Sequence, residues 1–157
     1  MTSNTKIFAP ASVPESNATG YPEPFRALVS GRFYRRLGDH AGLTNFGVNL
    51  TRLVPGGLSS CRHAHSRQDE FVYVLEGEVE LATDYGAQTL GPGMCVGFPA
   101  GSGDAHCFRN ASARDVVLLV VGDRTVDDVV SYPDHDLAAR FGSDGRNRFT
   151  HKDGTPY

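Results

Sequence analysis

The stretch Gly57-Leu58-Ser59-Ser60-Cys61-Arg62-His63-Ala64-His65-Ser66-Arg67-Gln68-Asp69-Glu70-Phe71-Val72-Tyr73-Val74-Leu75-Glu76-Gly77 decides how the rest of the chain is read. Side chains two apart in a strand share a face, so His63 and His65 project together from an extended segment. Glu70 opens the next run, Phe71 to Leu75, which reads as a strand buried on both faces. A hairpin connection between the two runs can bring the carboxylate beside both imidazoles. Two imidazoles and a carboxylate on neighbouring strands form a ligand set for one divalent transition metal ion, Fe, Mn, Ni, Co or Zn. With the residue frequencies of this chain, the spacing of Gly57, His63, His65, Glu70 and Gly77 arises by chance in roughly one such chain in ten thousand.

A second segment, Gly93-x5-Pro99-x-Gly101-x4-His106-x3-Asn110, supplies a fourth candidate ligand. His106 begins a strand-like run with Phe108 and Asn110 on its own face, and that face is expected to be the interior.

Outward from these segments the text is a succession of short strands. They are expected near Phe46–Leu53, Ser60–His65, Glu70–Glu76, Val79–Thr83, Ala87–Leu90, Met94–Phe98, Ala105–Asn110 and Val116–Val121. Turn residues separate them, among them Pro55-Gly56-Gly57, Gly91-Pro92-Gly93 and Pro99-Ala100-Gly101. Strands at this spacing predict an all-β sandwich or barrel. Residues 1–24, rich in Ser, Thr, Asn and Pro, read as an extended N-terminal arm. The barrel is expected over 25–130, followed by a C-terminal arm over 131–157. A short helix over Asp134–Phe141 is the only one expected.

The chain has 157 residues, enough for one domain, and its 39% hydrophobic and 21% charged composition is that of a folded protein. A formal net charge of −3 with no basic stripe offers no footprint for nucleic acid. The aliphatic run Val116 to Val121 is too short to span a bilayer, and Lys6 is not followed by an apolar run. The expected compartment is therefore the cytoplasm. Three cysteines without a CxxC spacing, Cys61, Cys95 and Cys107, fit free thiols better than a disulfide framework.

The two His-bearing segments resemble the two sequence motifs of the cupin superfamily. The first matches at every defining position; in the second, four residues rather than two separate Gly101 from His106. Further stretches look like a group of small bacterial single-domain cupins, mostly without an assigned reaction. These include Tyr21-Pro22-Glu23-Pro24-Phe25, Asp69 to Glu78, Tyr132-Pro133-Asp134 and His151 to Tyr157. The resemblance implies a double-stranded β-helix (jelly-roll) barrel holding one metal ion through His63, His65, Glu70 and His106. With the two terminal arms, it also makes a homodimer the expected form.

Three neutral imidazoles and one carboxylate leave a divalent ion with net charge near +1 and open coordination positions. Such a centre suits O2 chemistry, Lewis-acid isomerisation or elimination, or water activation on a small molecule. The alternative is a cavity that binds or senses a small molecule around a structural metal. Structural sites are closed and sulfur-rich, so the His/Glu set favours chemistry. Cys61 shares the strand parity of His63 and can face the cavity, whereas Cys107 has the opposite parity to His106. Asn110 can serve the cavity or a strand end, and Gln68 and Asp69 can support the ligands or sit in a solvated turn. Arg52 and Arg62 can meet an anionic substrate at the mouth, with solvated surface arginines as the plainer reading. His40, His135 and His151 are taken as non-ligands.

Overall fold

The computed structural model describes residues 5–157, so residues 1–4 of the expected N-terminal arm lie outside the described residues. Strand β1 (Arg32–Arg36) leads through a single helical turn, α1 (Leu37–Ala41), into β2 (Phe46–Leu53). There follow β3 (Ala64–His65), β4 (Glu70–Glu76), β5 (Val79–Thr83), β6 (Gly86–Leu90), β7 (Cys95–Phe98), β8 (Cys107–Arg109) and β9 (Val116–Asp123). The chain ends with β10 (Val129–Tyr132), β11 (Leu137–Phe141) and β12 (Asn147–Thr150). They form three antiparallel sheets, β1-β2-β9-β4-β7, β12-β11-β10-β3 and β6-β5-β8.

The helix expected over Asp134–Phe141 is absent, and Leu137–Phe141 is strand β11. Alternation decides this: Leu137 and Ala139 are buried while Arg140 is exposed, and all three pair in register with β10. The expected C-terminal arm thus contributes two strands to a sheet. Strand β1 and helix α1 were not expected either. Arginines at both ends of β1 mask its alternation, and α1 is one turn closed by Gly42 at φ 83°. The N-terminal arm, from residue 5 onward, packs against the barrel of its own chain. Ser16 pairs with Tyr34, Glu15 bridges Arg52 at 2.7 Å, and Val13 and Tyr21 are buried.

Register explains where the core lies. Paired residues of an antiparallel sheet point to the same side, so each inward row crosses the large sheet. One row is Leu53–Val116, the next Thr51–Leu118–Val74, the next Asn49–Val120–Val72–Val96, and the last Gly47–Gly122–Glu70–Phe98. The first rows join Val79, Leu81, Leu90 and Phe108 in an apolar core. Further along the same strands, Asn49, Thr51, Gly122 and Glu70 line a polar cavity of about 530 Å³. One end of the interior is therefore plugged with hydrocarbon and the other is open to ligand. Burial of each core Val or Leu is worth about 1.5–3 kcal/mol, so the plug is the platform for the polar end.

Both terminal glycines of the first motif have a steric basis. A Cβ on Gly57 would lie 2.7 Å from the Gly31 carbonyl oxygen. Gly77 has φ +77° and would place its Cβ 2.8 Å from the Asp115 carbonyl oxygen. Asn110, fully buried, donates from Nδ2 to the carbonyls of Leu53 and Arg114 and accepts from Ser112, so it closes a strand end. Gly77→Ala combines left-handed strain of roughly 1–2 kcal/mol with a backbone clash. It is expected to lower unfolding free energy by about 2–4 kcal/mol, as read by urea denaturation.

Candidate metal centre

His63 and His106 face each other as a hydrogen-bonded antiparallel pair. The His63 N–H donates to the His106 carbonyl at 3.0 Å, and the His106 N–H donates to the His63 carbonyl at 2.8 Å. This pair of backbone hydrogen bonds sets both imidazoles on one side, with ring centroids 4.7 Å apart. His65 comes from β3, which is held by β10 through pairing with Val130. Glu70 comes from the open end of β4, where its row partners Gly47 and Gly122 present no side chains.

The Nε2 atoms of His63, His65 and His106 lie 3.7, 3.7 and 3.6 Å from the same oxygen, Oε2 of Glu70. These separations are too long for hydrogen bonds. They resemble the spacing of roughly 3–3.5 Å between ligand atoms that each sit about 2.0–2.2 Å from one ion. The ligating atoms of His63, Glu70 and His106 all lie within 4.8 Å of one another, and His65 reaches the group through the shared Glu70 oxygen. Burial pushes the Glu70 carboxyl up, but the imidazoles of His106 and His63 overcome this and hold it well below the ordinary carboxylate range. It is a carboxylate at neutral pH, as a ligand must be.

Each imidazole is oriented by a different device. His63 Nδ1 lies 3.0 Å from the Cys61 carbonyl and 3.2 Å from Ser60 Oγ. An Nδ1–H donated to that carbonyl leaves the Nε2 lone pair facing Glu70. His106 is 2% exposed and stacks on Phe98 at 3.5 Å and 7°, and neither of its ring nitrogens has a hydrogen-bond partner. A buried, unpartnered Nε2 beside a carboxylate and two further imidazoles suits a metal-ligand position. His65 Nδ1 lies 2.6 Å from Oδ2 of Asp128.

Asp128 was not among the residues singled out in the sequence. It is completely buried, and its Oδ1 accepts from Arg67 N at 2.7 Å, Ser66 Oγ at 3.2 Å and Gln68 N at 3.3 Å. One carboxylate thereby fixes the His65 ring and the loop leading from His65 towards Glu70. Its neighbour Asp127 turns the chain with φ 59°, a conformation that Asp tolerates better than most residues.

The remaining candidates take other places. Cys61 is buried beside Tyr21, Val130 and Tyr132 in a second cluster rather than on the cavity wall, because the chain bends through residues 59–62 instead of continuing as a strand. Burial pushes its thiol up to about 11, so it stays neutral. Arg52 and Arg62 are not at the cavity. Arg52 is engaged by Glu15 and Asp115, and Arg62 by Asp134 at 2.7 Å and by Asp84. Gln68 and Asp69 sit at the cavity rim, where Asp69 Oδ1 accepts from Ala100 N at 2.7 Å. His40 meets Phe8, His135 meets Phe25, and His151 pairs with Asp136 at 2.8 Å, all outside the metal group.

An all-β barrel with a His/Glu centre at its open end defines the cupin class. The cupin domain model matches residues 49–122, and the chain belongs to the cupin superfamily. A crystal structure of a cupin-superfamily sugar phosphate isomerase from Silicibacter pomeroyi superposes with a TM-score of 0.91 and 41% identity, covering 97% of this chain and 96% of that one. A candidate sugar phosphate isomerase from Acidithiobacillus ferrooxidans gives a TM-score of 0.71 and 32% identity over 80% of each chain. The rhicadhesin receptor of Pisum sativum is 34% identical over 84 residues, 49% of this chain and 37% of its own length. The chain thus spans only about a third of the length of the curated relatives it matches. Among the described residues, no helix is long and apolar enough to cross a membrane.

Removal of an orienting carboxylate behind a metal-bound imidazole costs about 10–100-fold in metal affinity. Asp128→Asn is expected to weaken metal binding by that factor in competition with a chelator, while circular dichroism stays that of the wild type.

Proposed function

We propose that this protein is a metal-dependent isomerase acting on a small hydroxy-carbonyl compound of the sugar phosphate class. The observation that carries this reading is the convergence of three imidazole Nε2 atoms on one carboxylate oxygen at the polar end of the cavity. The two solved relatives named above, both described as sugar phosphate isomerases or candidates for that activity, support the substrate class.

His63, His65, Glu70 and His106 would hold one divalent ion. Bound there, the ion would supply Lewis acidity that polarises a carbonyl group and raises the acidity of the hydrogen on the adjacent carbon. The chain supplies placement and proton donors. Tyr132 and Tyr21 line the cavity near the centre, with the Tyr132 ring 6.0 Å from the His63 ring. Burial holds the Tyr21 phenol at about 12 and the Tyr132 phenol well above its usual value, and the two phenols hydrogen-bond each other, so both remain protonated at neutral pH. The apolar plug of Val72, Val74 and Leu118 closes the far side against water.

The direct test is incubation of metal-loaded protein with aldose and ketose phosphates in D2O, read by NMR. Interconversion with deuterium uptake beside the carbonyl is expected, falling at least 100-fold together with metal content in His106→Ala. Full metal occupancy without turnover across the panel would refute the isomerase reading.

The homodimer is part of the same proposal. The outward face of the large sheet carries Val48, Leu50, Phe71, Leu75, Leu119 and Val121, with Phe71 42% and Leu75 40% exposed. A contiguous apolar face of this kind marks an association surface. Light scattering is expected to give twice the 16.9 kDa chain mass, and Phe71→Lys to shift the population towards the monomer.

A further inference from the structure

Five arginines are half-buried among the described residues: Arg32, Arg35, Arg52, Arg62 and Arg124. Four of them meet carboxylates. Arg35 and Arg52 share Glu15, Arg62 is held by Asp134 and Asp84, and Arg124 by Asp39. Arg32 differs. No carboxylate of the described residues lies within 4.0 Å of it, and it lines the cavity. Its Nη1 donates to the Ser59 carbonyl at 2.7 Å, while its buried Nε has no partner at all. The guanidinium carbon lies 5.6 Å from the Tyr34 ring.

A guanidinium has five N–H donors in a rigid fork, and leaving a partly buried one without an anion is costly. Strand β1 alternates so that Arg32, Tyr34 and Arg36 face the cavity, whereas Arg35 turns away towards Glu15. Ser59 links the site to the metal centre: its carbonyl takes the Arg32 hydrogen bond, and the next residue, Ser60, places its hydroxyl 3.2 Å from His63 Nδ1. The other acidic groups of the wall are already engaged. Asp39 binds Arg124, Asp69 accepts from Ala100 N, and Asp123 accepts from Asp69 N and Thr125 N.

We propose that Arg32 is the anion anchor of this cavity, binding the phosphate or carboxylate of a ligand whose other end reaches His63, His65, Glu70 and His106. The Arg32 N–H groups not committed to Ser59 are available to donate to an anionic group in the cavity that Arg32 lines. This inference rests on the isomerase reading for the identity of the reacting end, but not for the presence of the anion site.

The test is calorimetric titration of inorganic phosphate, and separately of malonate, into metal-loaded and chelator-treated protein. Wild type is expected to bind in both states. Arg32→Met should weaken binding at least tenfold with metal content unchanged, and Arg32→Lys, which keeps the charge but loses the fork, should recover only part of it. Tighter binding of phosphate than malonate assigns the anchor to a phosphate monoester, and the reverse order assigns it to a carboxylate. Equal affinity of wild type and both folded variants for both probes overturns the proposal, whatever the isomerase assay shows. Loss of phosphate binding in Arg32→Met without any isomerase activity in wild type would uphold the anchor and refute the reaction instead.

Discussion

The arrangement of this protein turns on one reciprocal contact, the pair of backbone hydrogen bonds that His63 and His106 exchange at 3.0 and 2.8 Å. It joins the two motifs at their chemically active residues, far apart in sequence, and commits both imidazoles to one side. Neither segment is a long strand there: β3 covers Ala64–His65 and β8 covers Cys107–Arg109. A short bridge of this kind holds only if its surroundings are firm. The firmness comes from the stack of His106 on Phe98, from the Cys61 carbonyl behind His63, and from the buried Asp128 behind His65.

Strand alternation does the rest. A single inward face of β4 runs from Glu70 through Val72 to Val74, so one periodicity delivers both a metal-ligand candidate and the centre of the core. The cost of holding a carboxylate inside a barrel is met by three imidazoles rather than by a lysine or arginine. Unlike a lysine or arginine, an imidazole can turn a lone pair towards a bound ion, and this separates a ligand set from an ordinary buried ion pair.

Much of this was legible in the sequence, and the limits are physical. His63, His65 and Glu70 stand close together in sequence, so their spacing was readable, but the expected hairpin is not formed. Strand β3 pairs with β10 and β4 with β7 and β9, and a loop between two sheets brings the carboxylate to the imidazoles. His106 follows from its own turn-rich segment. Asp128 lies 63 residues from His65 in sequence, and no local pattern couples them. Arg32 sits in a strand whose flanking arginines conceal its alternation. The stretch Leu137–Phe141 is short enough that its apolar residues fit either period, and pairing with β10 and β12 settles it as strand. Cys61 shows the converse: parity counts only while the chain stays extended, and the bends at residues 59–62 carry the thiol out of the cavity wall.

X-ray absorption at the metal edge of the purified protein tests the central claim most directly. The account predicts a first shell of nitrogen and oxygen only, at about 2.0–2.2 Å, with the multiple-scattering pattern of three imidazoles. A sulfur neighbour at about 2.3 Å, or a shell with fewer than two imidazoles, would contradict it.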